Sequence, residues 1–167
     1  MAGSAPQLGG PTRGFTLTGR IASIRYVTRY SGRASIYAPL RVLVYSSNAG
    51  IRFWIQQALG RFPDNLEAPL DFVETATQPA VLAALARKGI DLVILDAEAT
   101  PSGGIGLAKQ LKDELLQCPP IVVIIARADD AWLAGWSRAD GVVSMPVDPI
   151  VLIETIIPLL RGQLIIS

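Results

Sequence analysis

The sequence predicts an α/β protein whose parallel sheet is covered by helices on both faces. Three observations carry that expectation. Between Arg41 and Arg161, five short apolar runs alternate strictly with five segments of three-to-four helical spacing. The runs RVLVY, DLVILD and IVVIIA are apolar nearly throughout rather than at alternate positions, as strands buried on both sides should be. The links from helix to strand are short, which suits right-handed crossovers.

The first strand, 41–45, runs into Ser46-Ser47-Asn48, residue types that cap helices. A helix over 49–61 follows, with Ile51, Trp54, Ile55 and Leu59 at helical spacing. After the loop RFPDNLEAP comes a second strand, 70–76. The second helix starts at Pro79, which a first turn tolerates, and stops before Gly89. Strand three is DLVILD, 91–96, and helix three is GIGLAKQLKDELL, 104–116. Pro119-Pro120 breaks the chain before strand four, IVVIIA, 121–126. Helix four is DDAWLAGWSRA, 129–139, with Asp129-Asp130 placed to favour its N-terminal dipole rather than to hold a metal. Strand five is GVVSM, 141–145. Helix five, 148–161, opens on Asp148 as cap with Pro149 in the first turn, and Pro158 should kink or end it.

Composition narrows the function. There is no histidine and one cysteine, so the chain alone builds no zinc, haem or iron–sulfur site and no Ser-His or Cys-His catalytic pair. Cys118, before two prolines, reads as a small core hydrophobe, and a lone thiol suits a reducing cytosol. The longest apolar run, Ile121–Ala126, is far short of the ~20 residues that span a bilayer. The N-terminus lacks the basic-then-apolar order of a secretory signal. A cytoplasmic protein that meets the membrane only through a partner is expected.

Charge divides the chain into a basic N-terminal arm, 1–40, a body, 41–161, and a short tail, 162–167. Of 15 basic and 14 acidic residues, five arginines and no acid fall in the arm, making it +5. The remainder, with ten bases and fourteen acids, is −4. The start of the arm is rich in Gly, Pro and Ser and has no periodicity, while 15–30 could form a strand, an extended segment or a frayed helix.

The Val-Leu-Val run, two small polar residues and a helix resemble the response-regulator receiver family. So do DLVILD with Gly104 eight residues on and Met-Pro-Val-Asp-Pro before the last helix. The resemblance covers about 41–161 and implies a flavodoxin-like doubly wound sheet of order 2-1-3-4-5, with its site at the C-terminal strand edge. Such domains accept a phosphoryl group on an aspartate, with magnesium bridging the anions. Carried over, the acceptor falls on Asp96, the acid pair on Ser46 and Ser47, the Ser/Thr on Ala126, the lysine on Met145 and the rotamer-switching aromatic on Val142. Only the acceptor keeps its chemistry. A unit-charge contact in a partly screened site is worth about 4 kcal/mol at 4 Å. Losing three such contacts argues against acceptor chemistry even if Glu98 swings in. The expectation is a degenerate, non-enzymatic pseudo-receiver in which Asp96 is vestigial, with no metal, cofactor or small-molecule substrate.

Other signals read more simply. SGGIG, 102–106, lacks the context of a phosphate-binding loop and is expected to be a flexible link. Trp132 and Trp136 are one turn apart; at least one should be core, and an exposed one would anchor a partner. In the arm, Arg13, Phe15, Arg20 and Arg25 are candidate partner contacts, as are Tyr26, Arg29, Tyr30 and Arg33. Their chemistry could also meet nucleic acid, but the acidic body opposes that.

DAEATPSGGIGLAKQLKDELLQCPP, ADDAWLAGWSRA and PVDPIVL resemble the bacterial orphan response regulators that accompany the respiratory NADH dehydrogenase, complex I. That resemblance implies an accessory subunit on the cytoplasmic arm of the enzyme. A phosphorylation-switched single-domain regulator and a nucleic-acid-binding regulator acting through the arm are the alternatives.

Overall fold

A computed structural model describes the backbone of residues 28–30, 33–35, 37–61 and 63–166, and the side chains of 37–61 and 63–164. Within the arm, β1 (Thr28–Tyr30) pairs antiparallel with β2 (Arg33–Ser35), so this part of the ambiguous stretch is a strand, not a helix. Arg29, Tyr30 and Arg33 lie on that ladder. Arg13, Phe15, Arg20, Arg25 and Tyr26 lie outside the described residues.

The body alternates strictly. β3 (Leu40–Tyr45) is followed by α1 (Ala49–Leu59), β4 (Leu70–Thr75), α2 (Gln78–Ala86), β5 (Leu92–Asp96) and α3 (Gly104–Glu114). Then come β6 (Ile121–Ile125), a 3-10 turn (Ala128–Asp130), α4 (Ala131–Trp136), β7 (Gly141–Ser144) and α5 (Pro149–Ile166). The five strands pair in parallel in the order β4-β3-β5-β6-β7, which counted from β3 is 2-1-3-4-5.

Side-chain alternation splits the core in two. Val42, Val44, Leu92, Ile94, Val122 and Ile124 point toward α1 and α5, against Ile55, Leu59, Leu152, Ile156 and Leu160. Leu43, Tyr45, Val93, Leu95, Val123 and Ile125 point the other way, against Val81, Leu107, Leu111 and Ala134. Cys118 packs half-buried on this second cluster, and burial pushes its thiol up from the ordinary range.

Several element ends differ from expectation. Asn48 caps α1 by accepting from the Gly50 N–H, and Gly60, at φ 63°, ends that helix two residues early. The second helix begins one residue early at Gln78, because the Thr77 hydroxyl caps it by accepting from Ala80. It stops at Ala86, ahead of left-handed Lys88 and Gly89. The predicted fourth helix is divided. Asp129 and Asp130 sit in the 3-10 turn, and neither side chain caps α4.

Asp148 does cap α5, accepting from the Ile150 N–H at 2.8 Å. Pro158, however, does not end that helix, which continues through 162–166, the expected tail. Proline costs about 3 kcal/mol inside a helix. Pro158 faces solvent, while burial of Leu152, Ile156, Ile157 and Leu160 holds the helix on the sheet.

The predicted flexible link of glycines is instead a contact point. Gly104 is buried against the end of β5, where an added Cβ would lie 2.6 Å from the Asp96 carbonyl oxygen and 2.9 Å from Leu95 Cβ. Both obstacles belong to a central strand that cannot give way. Gly104→Ala should therefore destabilise the protein by about 1–3 kcal/mol. Gly106→Ala, with nothing within 4 Å, should be neutral or stabilising. Urea unfolding of the two variants measures the difference.

Candidate functional site

β3 and β5 end side by side at the C-terminal edge, and their last residues bring Ser46 and Asp96 together. Ser46 is fully buried and Asp96 is 4% exposed. The Ser46 hydroxyl donates to Asp96 Oδ2 at 2.7 Å and accepts from the Asn48 N–H at 3.0 Å. The Glu98 N–H donates to Asp96 Oδ1 at 2.9 Å. Both carboxylate oxygens are thus engaged, and the hydroxyl is oriented by the backbone it receives from.

Ser47 turns elsewhere. Its exposed hydroxyl accepts from the Thr100 N–H at 3.1 Å, tying the loop after β3 to the loop after β5. Below it, Arg52 donates to the Ser46 carbonyl at 2.6 Å and pairs with Glu74 at 3.1 Å. The Glu74 carboxyl is held below its usual range by a hydrogen bond from Gln56 and then by Arg52.

The other carried-over positions add no charge. Ala126, just after β6, and Val142, the second residue of β7, are partly buried, and Val142 packs on the second core cluster. Met145, 40% exposed, follows β7 and offers a thioether where the family has an ammonium.

These residues do not fit a magnesium ion. That ion wants an octahedron of oxygens with carboxylates among them. Here each Asp96 oxygen already accepts one hydrogen bond, from Ser46 or from Glu98, and the positions beside it carry neutral hydroxyls. Among the described residues no three acidic or thiol groups converge. No step through a metal follows from this arrangement.

Sequence reasoning missed Tyr45. Its ring is fully buried on the α2–α3 side of the sheet, and its hydroxyl donates to the Ser102 carbonyl at 2.6 Å. The Ser102 hydroxyl donates to Gln78 Oε1, and Gln78 Nε2 donates to Gln110 Oε1, each at 2.7 Å. This chain fastens the β5–α3 loop to α2 and α3. Burial, and then the Asp96 charge, raise the Tyr45 pKa above 10.0. A tyrosine ending an otherwise aliphatic strand was the available signal.

Both tryptophans of α4 are exposed, Trp132 by 70% and Trp136 by 56%, which corrects the expectation that one is core. Residues four apart share a helix face, and the inward position between them belongs to Ala134. Lys109 Nζ lies 5.8 Å from the Trp136 ring centroid. Trp54, read as part of the apolar face of α1, is 42% exposed and lines a groove with Ile51, Met145, Pro146 and Val147.

A doubly wound sheet of this order, with an aspartate ending its third strand and a glycine packed on that aspartate, defines a receiver-type domain. Proteins of known sequence and structure agree. An uncharacterised response regulatory protein of Mycobacterium tuberculosis, from strains CDC 1551 / Oshkosh and H37Rv, is 56% identical over 125 residues, 74% of this chain and 92% of the relative. Chemotaxis response regulator CheY4 of Vibrio cholerae superposes with a TM-score of 0.59 at 18% identity, covering 72% of this chain and 98% of that one. The receiver domain of Francisella response regulator 1452 gives 0.62 at 19% identity, over 74% and 98%. No family model matches the sequence. The chain belongs to the response-regulator family, and residues 40–166 have its receiver fold.

The site makes two predictions. Asp96→Ala leaves the Ser46 hydroxyl and the Glu98 N–H without acceptors and should cost about 1–3 kcal/mol in urea unfolding. In a site dominated by carboxylate repulsion the same change would stabilise. The Tyr45 proton is held more tightly folded than unfolded, so its contribution is complete below pH 10.0 and is lost as pH rises through the folded pKa. Alkaline unfolding curves of Tyr45→Phe should therefore be flatter above that pH than those of the parent.

Proposed function

We propose that this chain is a non-catalytic pseudo-receiver that works as a protein-binding subunit, docked on the cytoplasmic arm of respiratory complex I. The observation that carries the reading is the engagement of both Asp96 oxygens by Ser46 and Glu98, with Ser47, Ala126 and Met145 where the family's remaining chemistry belongs. Phosphoryl transfer needs an accessible anion, a cation to bridge it and a donor for the new charge. Each is missing or already committed.

What remains is a rigid body with a patterned exterior. Trp132 and Trp136 stand on one face of α4 among paired charges, Lys109 and Arg138 with Asp113 and Arg127 with Asp130. An aromatic centre ringed by polar groups suits a protein interface. The arm adds Arg13, Phe15, Arg20, Arg25 and Tyr26, and then Arg29, Tyr30 and Arg33 on the β1–β2 hairpin, residue types that anchor partners. Complex I as the partner is supported by the resemblance of 96–120, 128–139 and 146–152 to the orphan regulators that accompany it. Contact with the membrane would then be indirect; among the described residues no helix is long and apolar enough to cross one.

Two measurements test the reading. Incubation with acetyl phosphate and magnesium should leave the intact mass unchanged; an acyl-phosphate on Asp96 would replace this reading with a phosphorylation switch. Affinity purification of the tagged full chain from native membranes should recover complex I subunits. Recovery should fall at least several-fold on deleting residues 1–38 and on replacing both α4 tryptophans by alanine. Recovery of nucleic acid instead, lost with the arm's arginines, would overturn it.

A further inference from the structure

The end of the sheet opposite Asp96 carries an apolar hollow. The segments that lead into β5 and β6 form its two walls, where Leu85, Ala86, Ile90, Leu115, Leu116 and Pro119 line a cavity of about 570 Å³. Its side chains are apolar apart from Lys88 and Gln117. The backbone holds both walls in place. The Lys88 N–H donates to the Leu85 carbonyl and the Leu115 N–H to the Leu111 carbonyl, each at 3.0 Å. Leu116 stands clear of its own domain: at 105% it is the most exposed of the large apolar side chains among the described residues. A protruding leucine beside an apolar hollow is surface that gains from being covered.

The walls carry opposite, uncompensated charge. Arg87 and Lys88 are exposed just after α2, and neither has an ion pair among the described residues. On the other wall Glu114 ends α3, exposed, and among the described residues its carboxylate accepts from the Gln110 amide and meets no cation. The charges beside it are paired, Asp113 with Lys109 and Arg138, and Lys112 with Asp140. A carboxylate in the last turn of a helix lies at the negative end of the dipole, so Glu114 in particular gains from a cation brought from outside.

We propose that this face pairs two copies of the chain about a two-fold axis running along the hollow. Such an axis lays the α2 wall of one copy over the α3 wall of the other, and every contact is made twice. Leu116 of each copy then enters the hollow of its partner, and Glu114 of each meets the Arg87 and Lys88 of the other. A patch with both the projection and the recess, and with both signs of charge, is complementary to itself, which selects a second copy over an unrelated partner. Because the walls are fixed beforehand, little ordering opposes the pairing. The face is small, so the dimer is weak and forms with rising concentration. It lies at the opposite strand ends from Asp96 and does not use the α4 tryptophans. The inference goes beyond the binding-subunit reading and does not depend on it.

Sedimentation equilibrium of the full chain, purified alone, tests the pairing. The mass should be that of the monomer in dilute solution and rise toward twice that value as concentration increases. Leu116→Asp should weaken association by about tenfold or more, as loss of a central anchor does. Its urea unfolding should match the parent, since the side chain touches little of its own domain. Phe53→Asp, which alters an exposed apolar residue on α1, should leave association unchanged. Lys88→Glu and Glu114→Lys should each weaken the dimer several-fold, and the double variant should recover most of the loss. A monomer at every concentration, assembly beyond the dimer, association indifferent to Leu116→Asp, loss of association in Phe53→Asp, or no recovery in the double variant would each overturn the proposal. Co-purification with complex I and the acetyl phosphate experiment read the earlier proposal separately.

Discussion

The Ser46 hydroxyl donates to Asp96 at 2.7 Å, and the arrangement of the C-terminal edge follows from that bond. A carboxylate that is 4% exposed must be compensated, because a buried, unpaired charge costs several kcal/mol. Receivers that accept phosphate can compensate with a bound cation and a lysine, both of which leave an oxygen available to react. Here compensation comes from a hydroxyl and an amide on opposite oxygens, and the hydroxyl is itself polarised by the Asn48 N–H. The donors are a backbone amide and a side-chain hydroxyl of the chain itself.

The same edge shows how polar groups tie the surrounding loops together. Ser47 fixes Thr100, Tyr45 fixes Ser102, and the chain through Gln78 to Gln110 fastens the loop to two helices. Gly104 lets α3 start directly against Asp96, which seats the loop from below. With no buried polar side-chain atom left unsatisfied among the described residues, little free energy is stored at this edge for a switch to release.

Much of this was legible in the letters. Runs such as IVVIIA, short and rich in β-branched residues, read as strands covered on both sides, and their alternation with helical segments pointed to a parallel sheet between helices. On the resemblance to receivers, Ser46, Ser47, Ala126 and Met145 stand where the family places a charge or a donor, and that much the letters alone carry. Three-dimensional neighbours were not visible. Nothing local distinguishes Trp54 on a groove from Trp54 in a core, since both satisfy helical spacing and only the position of Met145–Val147 decides. That α5 continues past Pro158 was not legible, because the proline's cost is local while the burial of Leu152, Ile156 and Leu160 is tertiary. The glycines of 102–106 read as slack because sequence cannot report that the Asp96 carbonyl lies 2.6 Å from where a side chain at Gly104 would begin.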